Sequence, residues 1–314
     1  TYEMIRWIEE FETRQLERKE RREHPERYTV VPTGFKRLDS IIGGIQPGEL
    51  GLVMATTGKG KSIMLTNMAH NSVRLSIPSL YIALEMPARQ IAQRQDSRWL
   101  RMSYKQIKEY DFTPRELRGI HERWMKINKK WTDLYRIVSM PLRRCNILSV
   151  REVLDDLKTE DNFIPKVIYV DSGDHMNSVQ KYDQFRLSQA DVYWELSSLA
   201  EEGQYGIWSS TQAGREWAER TATAEASSES YDKTRIADIV ISLNTPNRKT
   251  RSTRVVTEDD NGEDDKKKEL DKLKSLASGD YMEIYLAKYR DGDSKITIPV
   301  DADFKKIYIQ EITK

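Results

Sequence analysis

Eight consecutive residues, Ala55-Thr56-Thr57-Gly58-Lys59-Gly60-Lys61-Ser62, carry side chains suited to holding a polyphosphate. Gly58 and Gly60 let backbone N–H groups turn inward and form a cradle for anionic oxygens. Thr57 and Lys59 complete the loop, Lys61 adds a mobile positive charge for terminal phosphates, and Ser62 offers a hydroxyl to Mg²⁺. Residues 50–54 before the loop are apolar, and residues 63–69 after it have helical periodicity. Strand, glycine-bearing loop and helix in that order are the context of a phosphate-binding P-loop, with the positive helix end facing the anion. The motif usually opens with Gly, and Ala55 holds that place here.

Three further polar residues end expected strands. The run 166–170 ends at Asp171, suited to holding Mg²⁺ directly or through water. The strand pattern 79–84 ends at Glu85, where a carboxylate could polarise an attacking water or, as a helix-start acid, satisfy backbone donors. The run 204–212 ends at Gln212, which could contact a terminal phosphate or the water, or be an ordinary strand-end residue. In an α/β sheet these ends share the edge where ligands bind.

The elements that must position them follow from periodicity. Residues 1–23 read as a helix with an apolar stripe at Met4, Ile5, Trp7, Ile8 and Phe11, free to pack on its own domain or on a neighbouring subunit. Helices are expected at 88–100, 104–130 (with Thr113-Pro114-Arg115-Glu116 as a capped start), 150–158 and 185–202. Strands are expected at 134–138, 236–243, 281–287, 296–300 and 306–309. Trp124, Met125 and Ile127 read as core, and so does a face of Leu187, Ala190, Trp194 and Leu199. Residues 172–184 read as a polar loop, 213–235 as a long loop, and 288–292 as a basic turn. The stretch 247–277 carries a run of acids and lysines expected to be a solvated tip.

Alternating strands and helices closed by antiparallel strands predict an α/β fold, a largely parallel sheet covered on both faces. With 314 residues, 32% charged and a formal net charge of +1, any surface for nucleic acid must be local. The single cysteine, Cys145, forbids an internal disulfide. No apolar run has membrane-spanning length and no secretory leader is visible, which points to the cytoplasm, of a bacterium or of a phage's host. The sequence starts at Thr1 rather than Met, as either a fragment of a longer protein or a trimmed chain would.

Taken together, the chain resembles the C-terminal motor domain of DnaB-type replicative helicases, hexameric RecA-fold ATPases. The resemblance runs from the leading helix to the last strand. It is carried by Pro32-Thr33-Gly34-Phe35, Leu38-Asp39, Gly43-Gly44, Pro47-Gly48, the P-loop, Leu84-Glu85-Met86, Asp171, Gln212, Ala237-Asp238 and Lys288-Tyr289-Arg290-Asp291-Gly292. That family commonly opens its P-loop with Ala. The resemblance implies a RecA-like motor domain over 29–314 with a linker helix at 1–28 docking on an adjacent subunit. It implies ATP and Mg²⁺ as cofactors and 5′-to-3′ translocation of a homo-hexameric ring on single-stranded DNA. Glu85 would orient the water, Gln212 would sense the γ-phosphate, and Lys288 and Arg290 would reach a neighbour's nucleotide in trans. Strand contacts fall to Lys181, Arg186 and Ser228-Glu229-Ser230-Tyr231, the last standing where the family tends to carry an Arg-Glu-Ser-Gly run. A primase or loader would be met through regions outside this sequence. The rivals are a recombination or repair ATPase of the RecA type and a scaffold ATPase that uses nucleotide for assembly.

Overall fold

The computed structural model describes residues 11–12, 15–16, 19, 30–141, 144–213, 228–245, 275 and 277–312, without the side chains of 127–129 and 228–231. After helix α1 (Lys36–Ile42), strand β1 (Leu50–Ala55) leads through the P-loop into α2 (Lys61–Arg74). Then come β2 (Ser79–Ala83), α3 (Ala88–Leu100), α4 (Tyr104–Glu109), α5 (Pro114–Trp131), β3 (Tyr135–Ser139) and α6 (Ile147–Glu160). Next are β4 (Val167–Asp171), a 3-10 turn (Gly173–His175), α7 (Phe185–Gly203), β5 (Gly206–Gln212), α8 (Ser228–Ile236) and β6 (Ile239–Asn244). The chain closes with β7 (Asp280–Tyr289), β8 (Ile296–Asp303), a 3-10 turn (Phe304–Lys306) and β9 (Tyr308–Glu311).

The strands form one nine-stranded sheet in the order β3-β2-β4-β5-β1-β6-β7-β8-β9. β1 to β6 run parallel, and β7 to β9 add antiparallel strands at one edge. The central strands are buried on both faces, which is why they read as near-continuous apolar runs. Val53, Tyr81, Tyr169 and Trp208 face α1 and α2, while Leu52, Met54, Ile82, Ile168 and Val170 face α6 and α7. Register aligns the strand ends, pairing Ala55 with Gln212 and Ala83 with Asp171.

The motif leading to β1 is a structural clasp. Asp39 accepts from the Thr33 amide (2.8 Å), the Thr33 hydroxyl (2.7 Å) and the Gly34 amide (2.9 Å). An antiparallel bridge joins Val31 to Ile45. Gly44 sits at φ +115°, and a Cβ there would fall 2.7 Å from the Val31 carbonyl oxygen.

Several elements differ from expectation. The helix 104–130 is two helices: Tyr110 turns left-handed at φ 54°, and the second starts at the predicted Thr113–Glu116 cap. The loop 213–235 contains α8, which runs to Ile236, so β6 begins only at Ile239. The polar loop 172–184 opens with the 3-10 turn, held by the Ser172 side chain accepting from the Asp174 amide at 3.3 Å. β7 continues through Lys288 and Tyr289 because a register shift at Val240/Ile241 keeps it paired to β6. β9 starts at Tyr308 because Lys306 ends a 3-10 turn and Ile307 is left-handed.

Trp124 (46% exposed), Met125 (59%), Leu187 (46%) and Trp194 (59%) are not core. Trp124 lines an open cavity with His70, Trp99 and Trp131 rather than the core, and α7 turns Val192, Leu196 and Ala200 inward together with the expected Leu199. The Ile127 side chain, most of the leading helix 1–23 and nearly all of 247–277 lie outside the described residues. Residues 11, 12, 15, 16 and 19 are helical, and no helix among the described residues is long and apolar enough to cross a membrane.

Gly51 of β1 packs where a Cβ would lie 2.5 Å from the Trp208 ring on β5. Overpacking of this kind costs about 1–3 kcal/mol. Gly51→Ala is therefore expected to lower unfolding stability in urea by that amount. Unchanged stability would show that the Trp208 ring can step aside.

Candidate nucleotide site

β1 delivers the P-loop and α2 receives it. Gly58 and Gly60 lie at φ +76° and +88°, and Gly60 begins α2 without a side-chain cap. The first-turn amides of α2 therefore lack a side-chain acceptor of the usual kind and face the loop. A Cβ on Gly60 would sit 2.9 Å from the ring of Phe304, which the closing hairpin lays against the loop. The Lys61 ammonium lies 3.4 Å from the Ala55 carbonyl, at the base of the cradle.

Asp171 ends β4 almost wholly buried, at 1% exposure. It accepts from the Tyr81 hydroxyl at 2.9 Å and the Ser210 hydroxyl at 2.9 Å, and Ser62 also bonds to it. Burial pushes the Asp171 carboxyl above its ordinary value, against those three hydroxyls. A hydroxyl and a carboxylate side by side are hard oxygen donors and fit Mg²⁺ shared with phosphate oxygens. Among the described residues no group of three or more His, Cys, Asp or Glu could hold a metal unaided.

Gln212, exposed at the end of β5, donates from its side-chain amide to the Thr57 hydroxyl at 2.7 Å. The expected phosphate sensor thus touches the phosphate loop. Glu85 stands two residues beyond β2, and its Oε1 lies 2.9 Å from His175 Nε2. That bond holds Glu85 below the usual carboxylate range, with Lys61 adding to the effect, and it raises His175.

Lys288 and Arg290 sit at the far end of β7. The Lys288 ammonium donates to the carbonyls of Thr234 (3.0 Å), Arg235 (2.8 Å) and Ala237 (2.6 Å), capping α8. Burial first, then the nearby Arg290 charge, lowers its pKa. Arg290, 60% exposed, pairs with Asp238 at 2.5 Å, and Asp238 also accepts from the Leu50 amide at 2.9 Å. Of the residues expected to meet DNA, Lys181 is exposed, and Arg186 is paired to Asp232 of α8 at 2.6 Å. The backbone of Ser228-Glu229-Ser230-Tyr231 begins α8, and their side chains lie outside the described residues.

Sequence reasoning placed Asp174, His175 and Lys233 in loops and gave them no role. Asp174 is the hub of the site's far wall. Its carboxylate accepts from Tyr193 (2.7 Å), Thr211 (3.0 Å), the Gln212 amide (2.7 Å) and the Lys233 ammonium (2.7 Å). Burial works against its charge, but Lys233 and the other donors outweigh this and hold it below the usual carboxylate range. A second acid three residues after a strand-end acid was the available signal. Its cation, 59 residues further on, was not.

Fold and site together define a P-loop nucleotide-binding domain of RecA-like architecture. Over residues 30–309 the chain matches the DnaB-like helicase C terminal domain, and it belongs to that family. It is 27% identical over 220 residues to the DnaB-like replicative helicase of Enterobacteria phage T4, covering 67% of this chain and 43% of that protein. It is 27% identical over 198 residues to the replicative DNA helicase DnaB of Haemophilus influenzae, covering 60% of this chain and 39% of that one. The chain thus spans less than half the length of these relatives. Among solved structures, an isolated ATPase domain superposes with a TM-score of 0.71 at 17% identity, covering 91% of this chain and 92% of that one. A DnaB-like replicative helicase, solved in a study of its interactions with primase, gives 0.70 at 16% identity, covering 90% and 62%.

The His175–Glu85 pair carries a pH signature. His175 has a raised pKa, so its contribution to stability is full below the unfolded value near 6.5 and fades as pH rises through the folded value. Glu85, with a lowered pKa, loses its share only as pH falls through its own folded value. Both side chains are more than a third exposed (38% and 39%), so solvent screens the pair. The stability gap between wild type and His175→Gln should be larger at about pH 6 than at about pH 9, by less than about 1 kcal/mol. A gap independent of pH in paired denaturation curves would contradict the charged pair.

Proposed function

We propose that this chain is the motor domain of a replicative DNA helicase, hydrolysing ATP in a hexameric ring and pulling single-stranded DNA through it. The observation that carries this reading is the meeting at one strand edge of Lys61, Ser62, Asp171, Glu85 and Gln212, with Gln212 bonded to the P-loop. Family membership supports it.

In this reading the P-loop amides, Lys61 and the N-terminus of α2 bind the phosphates of ATP. Ser62 and Asp171 hold Mg²⁺, which supplies charge neutralisation to the phosphates when bound. Glu85 orients the attacking water and accepts its proton. Its low pKa keeps it ionised, and the His175 hydrogen bond restricts its rotamers. Gln212 reports the γ-phosphate to β5. The exposed Arg290 exchanges Asp238 for a neighbouring subunit's nucleotide, and Lys288 steadies the end of α8 beside it. The linker helix at 1–28 tethers adjacent subunits. DNA contacts come from Lys181, Arg186 and the start of α8, which the Arg186–Asp232 pair draws together. Contact with a primase would use parts of a longer protein; one solved neighbour is a DnaB-like replicative helicase described with its interactions with primase.

Two measurements test this. Glu85→Gln should bind a fluorescent ATP analogue normally yet lose turnover by a hundredfold or more, as about 10²–10⁴ is typical for a general base. Lys61→Ala should lose turnover as well. Near-normal turnover by Glu85→Gln would make Glu85 a helix-start acid only. Binding of labelled oligonucleotides, read by fluorescence anisotropy, should be sequence-independent and salt-sensitive and should require a non-hydrolysable ATP analogue. Arg290→Ala should weaken it. Tight nucleotide-free binding by Arg290→Ala would contradict a ring assembled through nucleotide, and DNA-independent turnover by the wild type would favour a scaffold ATPase.

A further inference from the structure

The turn Gly173–His175 grips two strand ends at once. Asp174 holds the backbone amide of Gln212 at the end of β5, and His175 holds the carboxylate of Glu85 beyond β2. One three-residue turn therefore holds both the backbone of the phosphate-sensing residue and the carboxylate of the water-orienting one. The turn itself is fixed from α8, where the Lys233 ammonium, its side chain 9% exposed, meets Asp174 at 2.7 Å. Tyr193 adds a hydroxyl from α7, and Gln189 of α7 accepts from Lys233 at 3.4 Å.

Stability is a poor reason for this arrangement. A buried ion pair seldom stabilises more than apolar residues of the same volume, because both charges are taken out of water. What it does impose is distance and direction. We propose that Lys233 and Asp174 are positioning residues for hydrolysis, and that through them the placement of α8 sets the geometry of Gln212 and Glu85. Their bonds run to each other and to Tyr193, Thr211, Gln212 and Gln189. The helix that carries Lys233 begins with the residues expected to meet the DNA strand, and its other end is capped by Lys288 beside Arg290. Movement of α8 by a bound strand, or by a neighbouring subunit at Arg290, would reach Gln212 and Glu85 through one ion pair. This inference rests on the helicase reading above.

The test uses the full chain with three variants: Lys233→Met, Asp174→Asn and the double variant. Each single change leaves a charge or its donors unmatched and is expected to lower Tm. The double change removes both charges and should recover most of that loss. If the pair positions the site, kcat falls about tenfold to a hundredfold in all three variants, the cost expected of a small misplacement. KM and the affinity for a fluorescent ATP analogue should stay within about twofold of wild type, since P-loop binding is untouched. Stimulation of turnover by oligo-dT should shrink with kcat. Recovery of wild-type turnover together with Tm in the double variant would make the pair purely structural and overturn the proposal. Failure of all three variants to fold would overturn it equally. A wild-type chain that does not hydrolyse ATP would instead defeat the functional reading itself, before any variant is compared.

Discussion

A carboxylate inside a protein keeps its charge only where donors converge on it, and this sheet edge satisfies two of them in different ways. Asp171 and Asp174 are three residues apart, and burial pushes against the charge of both. Asp171 is met by hydroxyls from Ser62, Ser210 and Tyr81, so its burial is only partly offset and its pKa stays high. Asp174 is met by an ammonium as well as hydroxyls and an amide, so its pKa is low. The first retains an unmet demand for positive charge, which a magnesium ion beside phosphates would answer. The second has its cation built in and is suited to holding other groups still. Two acids of the same type thus differ, one suited to the metal side of a nucleotide and the other to a structural hub, and the difference comes from what surrounds them.

The hub organises the rest of the site because its donors come from different elements. Tyr193 belongs to α7, Thr211 and Gln212 to β5, and Lys233 to α8. Parallel pairing already brings Gln212 level with Ala55 and Asp171 level with Ala83. Pairing alone fixes the strand ends along the sheet but not the side chains beyond them. Gln212 needs its backbone held for its side chain to reach Thr57, and Glu85 needs a partner to limit its rotamers. The 3-10 turn after β4 supplies both constraints, and it can do so because Ser172 bonds to the Ser210 carbonyl at 2.8 Å and anchors the turn to β5.

What the sequence made legible was local. The P-loop, Asp171 and Gln212 at their strand ends, the parallel core and the antiparallel finish all follow from patterns within one or two elements, and Glu85 falls two residues past the end of β2. What it hid was non-local or rotational. The Asp174–Lys233 pair joins residues 59 apart, and Arg186–Asp232 joins residues 46 apart, so no spacing rule could reveal either. On α7, Leu187 and Trp194 share a stripe seven residues apart and were expected inside. Leu199 of that stripe is buried as expected, but beside it the helix buries Val192 and Leu196, a neighbouring face almost as apolar, since β4 and β5 meet it there. Where a helix has two apolar faces, periodicity names both and only packing chooses.

Lys288 and Arg290 show how neighbouring cations on one strand can differ in freedom. Both were expected to reach across a subunit boundary. Arg290 has a mostly exposed guanidinium and an ion pair to Asp238, whose own side chain is only 8% exposed. Drawing it off would leave a buried carboxylate held only through donors such as the Leu50 amide, so only a ligand as highly charged as a polyphosphate could compete for it. Lys288 donates to three carbonyls at the end of α8, and each hydrogen bond from a charged donor is worth about 1.5–3 kcal/mol. Pulling it away would also leave the last turn of α8 without its cap, and α8 carries Lys233. The energetics therefore favour a division of labour in which Arg290 changes partners while Lys288 stays. A neighbour's nucleotide that drew Arg290 off Asp238 would act on the residue that also anchors the first amide of β1, the strand that ends in the P-loop. Occupancy of one site would then be felt at the base of the next subunit's phosphate cradle through Asp238, a route separate from the Asp174 hub.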